Sequence, residues 1–239
     1  MTTKILITSG CSFTDTAWDQ TWPVHLANHF PNVLKKELGL GSSGNGLISR
    51  KVIYEVSQAL KNYKPDEILV GIMWSNRDRS EFYSRDELTP ENSDGWRQNP
   101  THFIPGTSKS WNLLHWGWKN SLSKLYYTTF HDNIGSLIYT YEHILRTQWF
   151  LHLNRVPFFM SNITEDLFNN GITQEADVTH LHDLIDKSNF LPVKGEHEWA
   201  RDFSNLSFAD DDPFHPTSEQ HKLFVDKIII PFLKEKKYI

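Results

Sequence analysis

Short apolar runs of strand length alternate along this chain with longer stretches whose apolar residues recur every three or four positions. Lys4–Thr8 places Ile5, Leu6 and Ile7 side by side and ends at Ser9-Gly10. Consecutive apolar residues bounded by a turn signal read as a first strand buried on both faces. Pro23, after Thr21-Trp22, opens a helix through about Phe30, and Pro31 stops it. Residues 33–40 carry a helical signal in Lys35-Lys36-Glu37, but lie between a helix and a Gly-rich turn, where a second strand belongs; the strand reading is preferred. Beyond the turn Gly41–Gly46, Ile48, Val52, Val56, Ala59 and Leu60 share one helical face. Pro65-Asp66 breaks that helix and Glu67–Trp74 follows as a third strand. From Asn120 to about Arg155 the period predicts one long helix, or two broken near Asn133-Ile134-Gly135. Pro157–Ile163 is a fourth strand. A helix is predicted over Glu175–Asp186, inside a weakly patterned stretch from Thr164 to Ala209. Thr217–Lys236 is helical, with Thr217 as N-cap, Glu219 or Gln220 in its first turn, and Pro231 kinking or shortening it.

Strands alternating with helices predict a parallel sheet covered on both faces, a three-layer α/β/α sandwich of the flavodoxin-like kind. The 239 residues suit one domain over 1–239, interrupted by a tryptophan-rich, polar insertion at about 84–119. The net charge of −5 and the lack of a basic run give no electrostatic footprint for nucleic acid. No apolar stretch is long enough for a bilayer, no signal peptide is recognised, and the one cysteine, Cys11, excludes an internal disulfide; a cytoplasmic protein is expected. Nothing here fixes an oligomeric state.

Two motifs at opposite ends carry the candidate chemistry. Gly10-Cys11-Ser12-Phe13 follows the first strand and presents a serine on a turn. Asp212-Pro213-Phe214-His215 precedes the last helix. A serine needs a histidine base, and the histidine a carboxylate to orient it. Ser12 is thus the candidate nucleophile, His215 the base and Asp212 its orienting acid. Cys11 points away from Ser12 by strand alternation and reads as a buried, inert thiol. Ligands of such sheets bind beyond the carboxyl ends of the strands, where Ser12, Gly44 and Asn76 all fall. The backbone N–H groups of Ser12 and Gly44 and the Asn76 amide are candidate oxyanion donors, with Gly41 an alternative to Gly44. Twelve histidines raise the question of a metal, but His180-Leu181-His182-Asp183 and Glu196-His197-Glu198 lack the spacing that puts two ligands on one helical face. They read as surface residues, and neither metal nor cofactor is expected.

These blocks resemble the SGNH/GDSL hydrolase superfamily, in their order and over nearly the whole chain. Gly10-Cys11-Ser12-Phe13 looks like its first block, Ser43-Gly44-Asn45 its second, Trp74-Ser75-Asn76-Arg77 its third, and Asp212-Pro213-Phe214-His215 its Asp-x-x-His block. Cys11 stands where an acidic residue is usual, and Trp74 and Arg77 where the third block usually has glycine and aspartate. The resemblance implies a metal-independent α/β/α esterase working through a Ser-His-Asp triad and an acyl-enzyme, with a short-acyl or O-acetyl ester of a carbohydrate as the leading substrate. The rivals are an acyltransferase on the same fold and a non-catalytic carbohydrate- or protein-binding module. Trp74, Trp111 and Trp118 are candidate substrate-facing residues, and the insertion reads as an ordered cap over the Ser12 cleft.

Overall fold

Side chains alternate across the central sheet, and each face finds its own helical layer. The computed structural model describes residues 3–17, 20–83, 98–99, 111–116, 121–168 and 176–239. Four parallel strands, β1 (Ile5–Ser9), β2 (Leu34–Glu37), β3 (Ile68–Trp74) and β7 (Phe158–Asn162), lie in the order β2-β1-β3-β7, with Ile7 opposite Val70 and Val70 opposite Phe158. All of β1, β3 and β7 is buried, whereas β2 at the edge is largely exposed. An edge strand carrying Lys35, Lys36 and Glu37 resists pairing with another chain. The residues that imitate a helix in sequence thus serve a sheet edge.

Ile5, Ile7, Val70, Ile72 and Trp74 face one way. There they pack on helix α2 (Asn45–Ala59) and on the long helix Asn133–Leu153. Leu6, Leu69, Met73 and Phe159 face the other way, toward α1 (Trp22–Ala27), the helix Glu196–Phe203 and the C-terminal helix. This is the period-two signature of a strand between two layers, and the three-layer architecture is as expected.

Of the two readings of 120–155, two helices hold: α3 (Ser121–Thr129) and α4 (Asn133–Leu153). Asp132 makes the break, its carboxylate accepting from the Ile134 and Gly135 N–H groups at 2.8 Å each, which satisfies two of the orphan donors of a helix start. A helix over Ala176–Leu184 (α5) appears where one is predicted; Glu196–Phe203 (α6) lies in the stretch that carries no clear pattern. The C-terminal helix runs from Ser218 to Glu235, capped by the reciprocal Thr217–Gln220 bonds. A π-turn at Val225–Ile229 precedes Pro231, so the helix continues past the proline.

The polar stretch after β3 is not wholly loop. β4 (Ser80–Tyr83), β5 (Gln98–Asn99) and β6 (Trp111–Leu114) form a small antiparallel sheet in the order β4-β6-β5. Strands of two to four residues mixing polar and apolar side chains leave too little period to recognise. The rest of the 84–119 insertion lies outside the described residues.

Candidate active site

The loop after β1 is wound tightly. Thr14 N–H donates to the Cys11 carbonyl at 2.9 Å, and Asp15 N–H to that of Ser12 at 3.3 Å. A side chain on Gly10 would place its Cβ 2.2 Å from Thr14 Oγ1 and 2.9 Å from the Met73 carbonyl, so only glycine lets the turn close this near β3. Cys11 is fully buried, and Ser12 stands at the rim.

The far end of the chain meets it there. His215 Nε2 lies 2.9 Å from Ser12 Oγ, and His215 Nδ1 lies 2.7 Å from Asp212 Oδ2. The other Asp212 oxygen accepts the backbone N–H groups of His215 at 3.0 Å and Phe214 at 3.2 Å. Partial burial pushes the Asp212 carboxyl up, but those two N–H bonds and the adjacent imidazole outweigh it and hold the group below its ordinary value. An ionised Asp212 accepts from Nδ1–H, which leaves Nε2 with its lone pair toward the serine hydroxyl. Phe13 fixes the ring, its centroid 5.2 Å from that of His215. The structure therefore brings Ser12, His215 and Asp212 into one hydrogen-bonded line.

Gly44 is the N-cap of α2. A Cβ there would fall 2.4 Å from a Glu81 carboxylate oxygen and 2.7 Å from the Arg79 carbonyl, so the position requires glycine. Its N–H belongs to the group of donors that a helix start leaves without intrahelical partners. The alternative, Gly41, donates its N–H to Asp15 Oδ2 at 2.9 Å; that donor is spent on the fold. Asn76 follows β3, and its Oδ1 accepts from Thr164 Oγ1 at 3.1 Å. This orients the amide and leaves Nδ2 as its donor for other partners. Asn45, unremarked in the sequence beyond its block, ties the two together: Oδ1 accepts the Ser75 N–H at 2.8 Å and Nδ2 donates to the Ser75 carbonyl at 3.0 Å. Each of these amides is buried or half-buried.

Trp74 corrects an expectation. Its side chain is 0% exposed, sits in the core beneath α2 and α4, and points Nε1–H at Met160 Sδ, 3.3 Å away. Alternation along the buried strand β3 turns this side chain toward α2 and α4 rather than the cleft. The side chain of Trp111 and the whole of Trp118 lie outside the described residues. The Glu196-His197-Glu198 segment is also not a surface segment. Glu196 is 0% exposed and holds His221 Nδ1 at 2.7 Å, with His221 only 2% exposed. Burial pushes the Glu196 carboxyl up, against the pull of His221. No sequence pattern links two residues 25 positions apart. Among the described residues no group of three or more His, Cys, Asp or Glu side chains is placed to hold a metal ion. Nor is any helix among them long and apolar enough to cross a membrane.

A cavity of about 210 Å³ opens beside Ser12, walled also by Thr21, His215, Pro216, Thr217 and His221 among others. Ahead of the insertion, Glu81 on β4 and the Arg79 backbone lie against Gly44 at the start of α2.

No family model and no curated protein matches the chain. Among solved structures it is similar to a member of the lipolytic protein G-D-S-L family from Veillonella parvula DSM 2008, with 10% identity, 97% of this chain and 96% of that chain covered, and a TM-score of 0.45. It is also similar to a protein assigned as an acylhydrolase from Bacteroides fragilis NCTC 9343, with 13% identity, 99% and 88% coverage, and a TM-score of 0.46.

Proposed function

We propose that this protein is a serine esterase of the SGNH/GDSL type. The observation that carries the reading is the pair of short bonds from Ser12 Oγ to His215 Nε2 and from His215 Nδ1 to Asp212. Ser12 Oγ attacks the ester carbonyl carbon while Nε2 takes its proton. Asp212 stabilises the imidazolium so formed. The carbonyl oxygen becomes an oxyanion held by the Ser12 and Gly44 N–H groups and Asn76 Nδ2. Collapse breaks the ester C–O bond, and His215 returns the proton to the departing alcohol. Water, deprotonated by His215, then releases the acid from Ser12. A short acyl or O-acetyl ester of a carbohydrate is the substrate we favour, since the cavity beside Ser12 is small. Asn45 acts as a positioning residue, holding Asn76 and Gly44 in register through Ser75.

A fluorophosphonate probe tests the reading directly. The full chain should be labelled, Ser12→Ala should not, and the label should map to Ser12. An unlabelled but folded protein would instead support a binding module. Product analysis with and without an acceptor sugar separates hydrolysis from acyl transfer.

A further inference from the structure

A second cavity, of about 240 Å³, begins where the oxyanion groups end. Its walls include Asn45 and Gly46, which follow Gly44, and Arg77, which follows Asn76. Arg50 and Arg79 also line it, and the only carboxylate there among the described residues is Glu81. Among the described residues three guanidinium groups and one carboxylate thus line it, on a chain whose net charge is −5.

Glu81 pairs with Arg50 through one carboxylate oxygen, and its other oxygen is buried without a hydrogen-bond partner among the described residues. Its burial pushes the carboxyl up, with Arg50 pulling against it. Arg79 keeps Nε and Nη1 buried without a partner among the described residues. Buried N–H donors left without an acceptor cost free energy that an anion would recover. His143, on the cavity wall, is held down to about 3, chiefly by burial and further by Arg146 and Arg50. Among the described residues the other acids nearby are Asp78, which acts on His115 against Arg79, and Glu142, which acts on Arg146. The start of α2 adds its partial positive charge. Ser136, Tyr139 and Thr140 bring hydroxyls to the same walls. At ~30 Å³ per water the space holds about eight waters, enough for one oxyanion group and its nearest atoms.

We propose that this cavity binds an anionic substituent of the substrate, a carboxylate, sulfate or phosphate group, beside the ester being cleaved. The inference rests on the esterase reading for its link to turnover, but the anion site itself does not. An arginine meets such a group through two parallel N–H bonds, which a lysine cannot reproduce.

Two measurements separate the readings. Titration of the full-length Ser12→Ala protein with inorganic sulfate, inorganic phosphate and acetate should give saturable binding. That binding should weaken with added salt and fall at least about tenfold in Arg79→Met and in Arg77→Met, while Arg201→Met, on the distant α6, should bind as Ser12→Ala does. With the Ser12 protein, the ratio of kcat/KM for an anionic short-acyl ester to that for its neutral analogue should fall at least about tenfold in each of the two cavity variants. Thermal unfolding checks that each variant is folded. Anion binding without turnover of either ester sinks the esterase and leaves the site. Turnover of both esters with no anion binding, or with a ratio the arginine variants leave unchanged, overturns the site and leaves the esterase.

Discussion

Lys51 offers a test of the electrostatics beneath the loop that carries Gly41 and Gly44. It projects from α2, donates Nζ–H to the Leu38 carbonyl at 3.2 Å, and feels the carboxylate of Asp15, which itself holds the Gly41 N–H. Burial lowers its pKa from 10.5 to about 8, Asp15 opposing the shift. The folded state therefore releases this proton earlier than the unfolded chain does. Below pH 8 the lysine is protonated in both states and its contribution is flat. Between pH 8 and 10.5 the unfolded chain binds more protons, so stability rises with pH, by at most ~1.4 kcal/mol per unit. By pH 9.5 the gain reaches about 2 kcal/mol, an upper value because the side chain retains some contact with solvent. Lys51→Met lacks the titration, so subtracting its stability isolates the term from cysteine, tyrosine and the other lysines. Urea unfolding followed by tryptophan fluorescence at pH 7, 8, 9 and 9.5 measures both proteins. A difference that stays flat, or falls, across that range refutes a desolvated Lys51.

Two further substitutions probe the site and the core. Asp212→Asn keeps the shape but removes the charge that fixes the His215 tautomer, and should lower kcat by roughly 10⁴-fold; esterase rates, or fluorophosphonate labelling rates, within threefold of the original would remove Asp212 from the relay. Trp74→Ala should cost about 3–5 kcal/mol in urea unfolding, because the ring is wholly enclosed between sheet and helices; a loss below about 1 kcal/mol with an altered ester profile would return Trp74 to the cleft.

What could be read in the sequence, and what could not, divides by the range of the forces involved. Ile5–Ile7 and the Ile48-Val52-Val56 stripe declare themselves because burial imposes a period on neighbouring residues. Ser12 and the Asp212–His215 pair are legible for a related reason: a turn after a strand, and a three-residue spacing that lets one carboxylate hold both the backbone and the ring of His215. Trp74 misleads because a position in a block says nothing of which face of a buried strand it occupies, and alternation in β3 sends it under α2. The pairs that join remote segments leave no local trace at all. Glu196 with His221 is set by how two helices dock and Glu81 with Arg50 by how β4 meets α2, and a buried acid looks in sequence like any surface acid. Gly44 shows the consequence for function. Its glycine is required by the approach of the Glu81 side chain and the Arg79 carbonyl, carried by β4 and the turn before it. The same contact that shapes the candidate oxyanion donor thus brings Arg79 and Glu81 to the cavity where an anionic group would sit. Under the anion-site proposal, substrate selectivity would be set where the segment after β3 meets the start of α2, and a change in either would be felt by both.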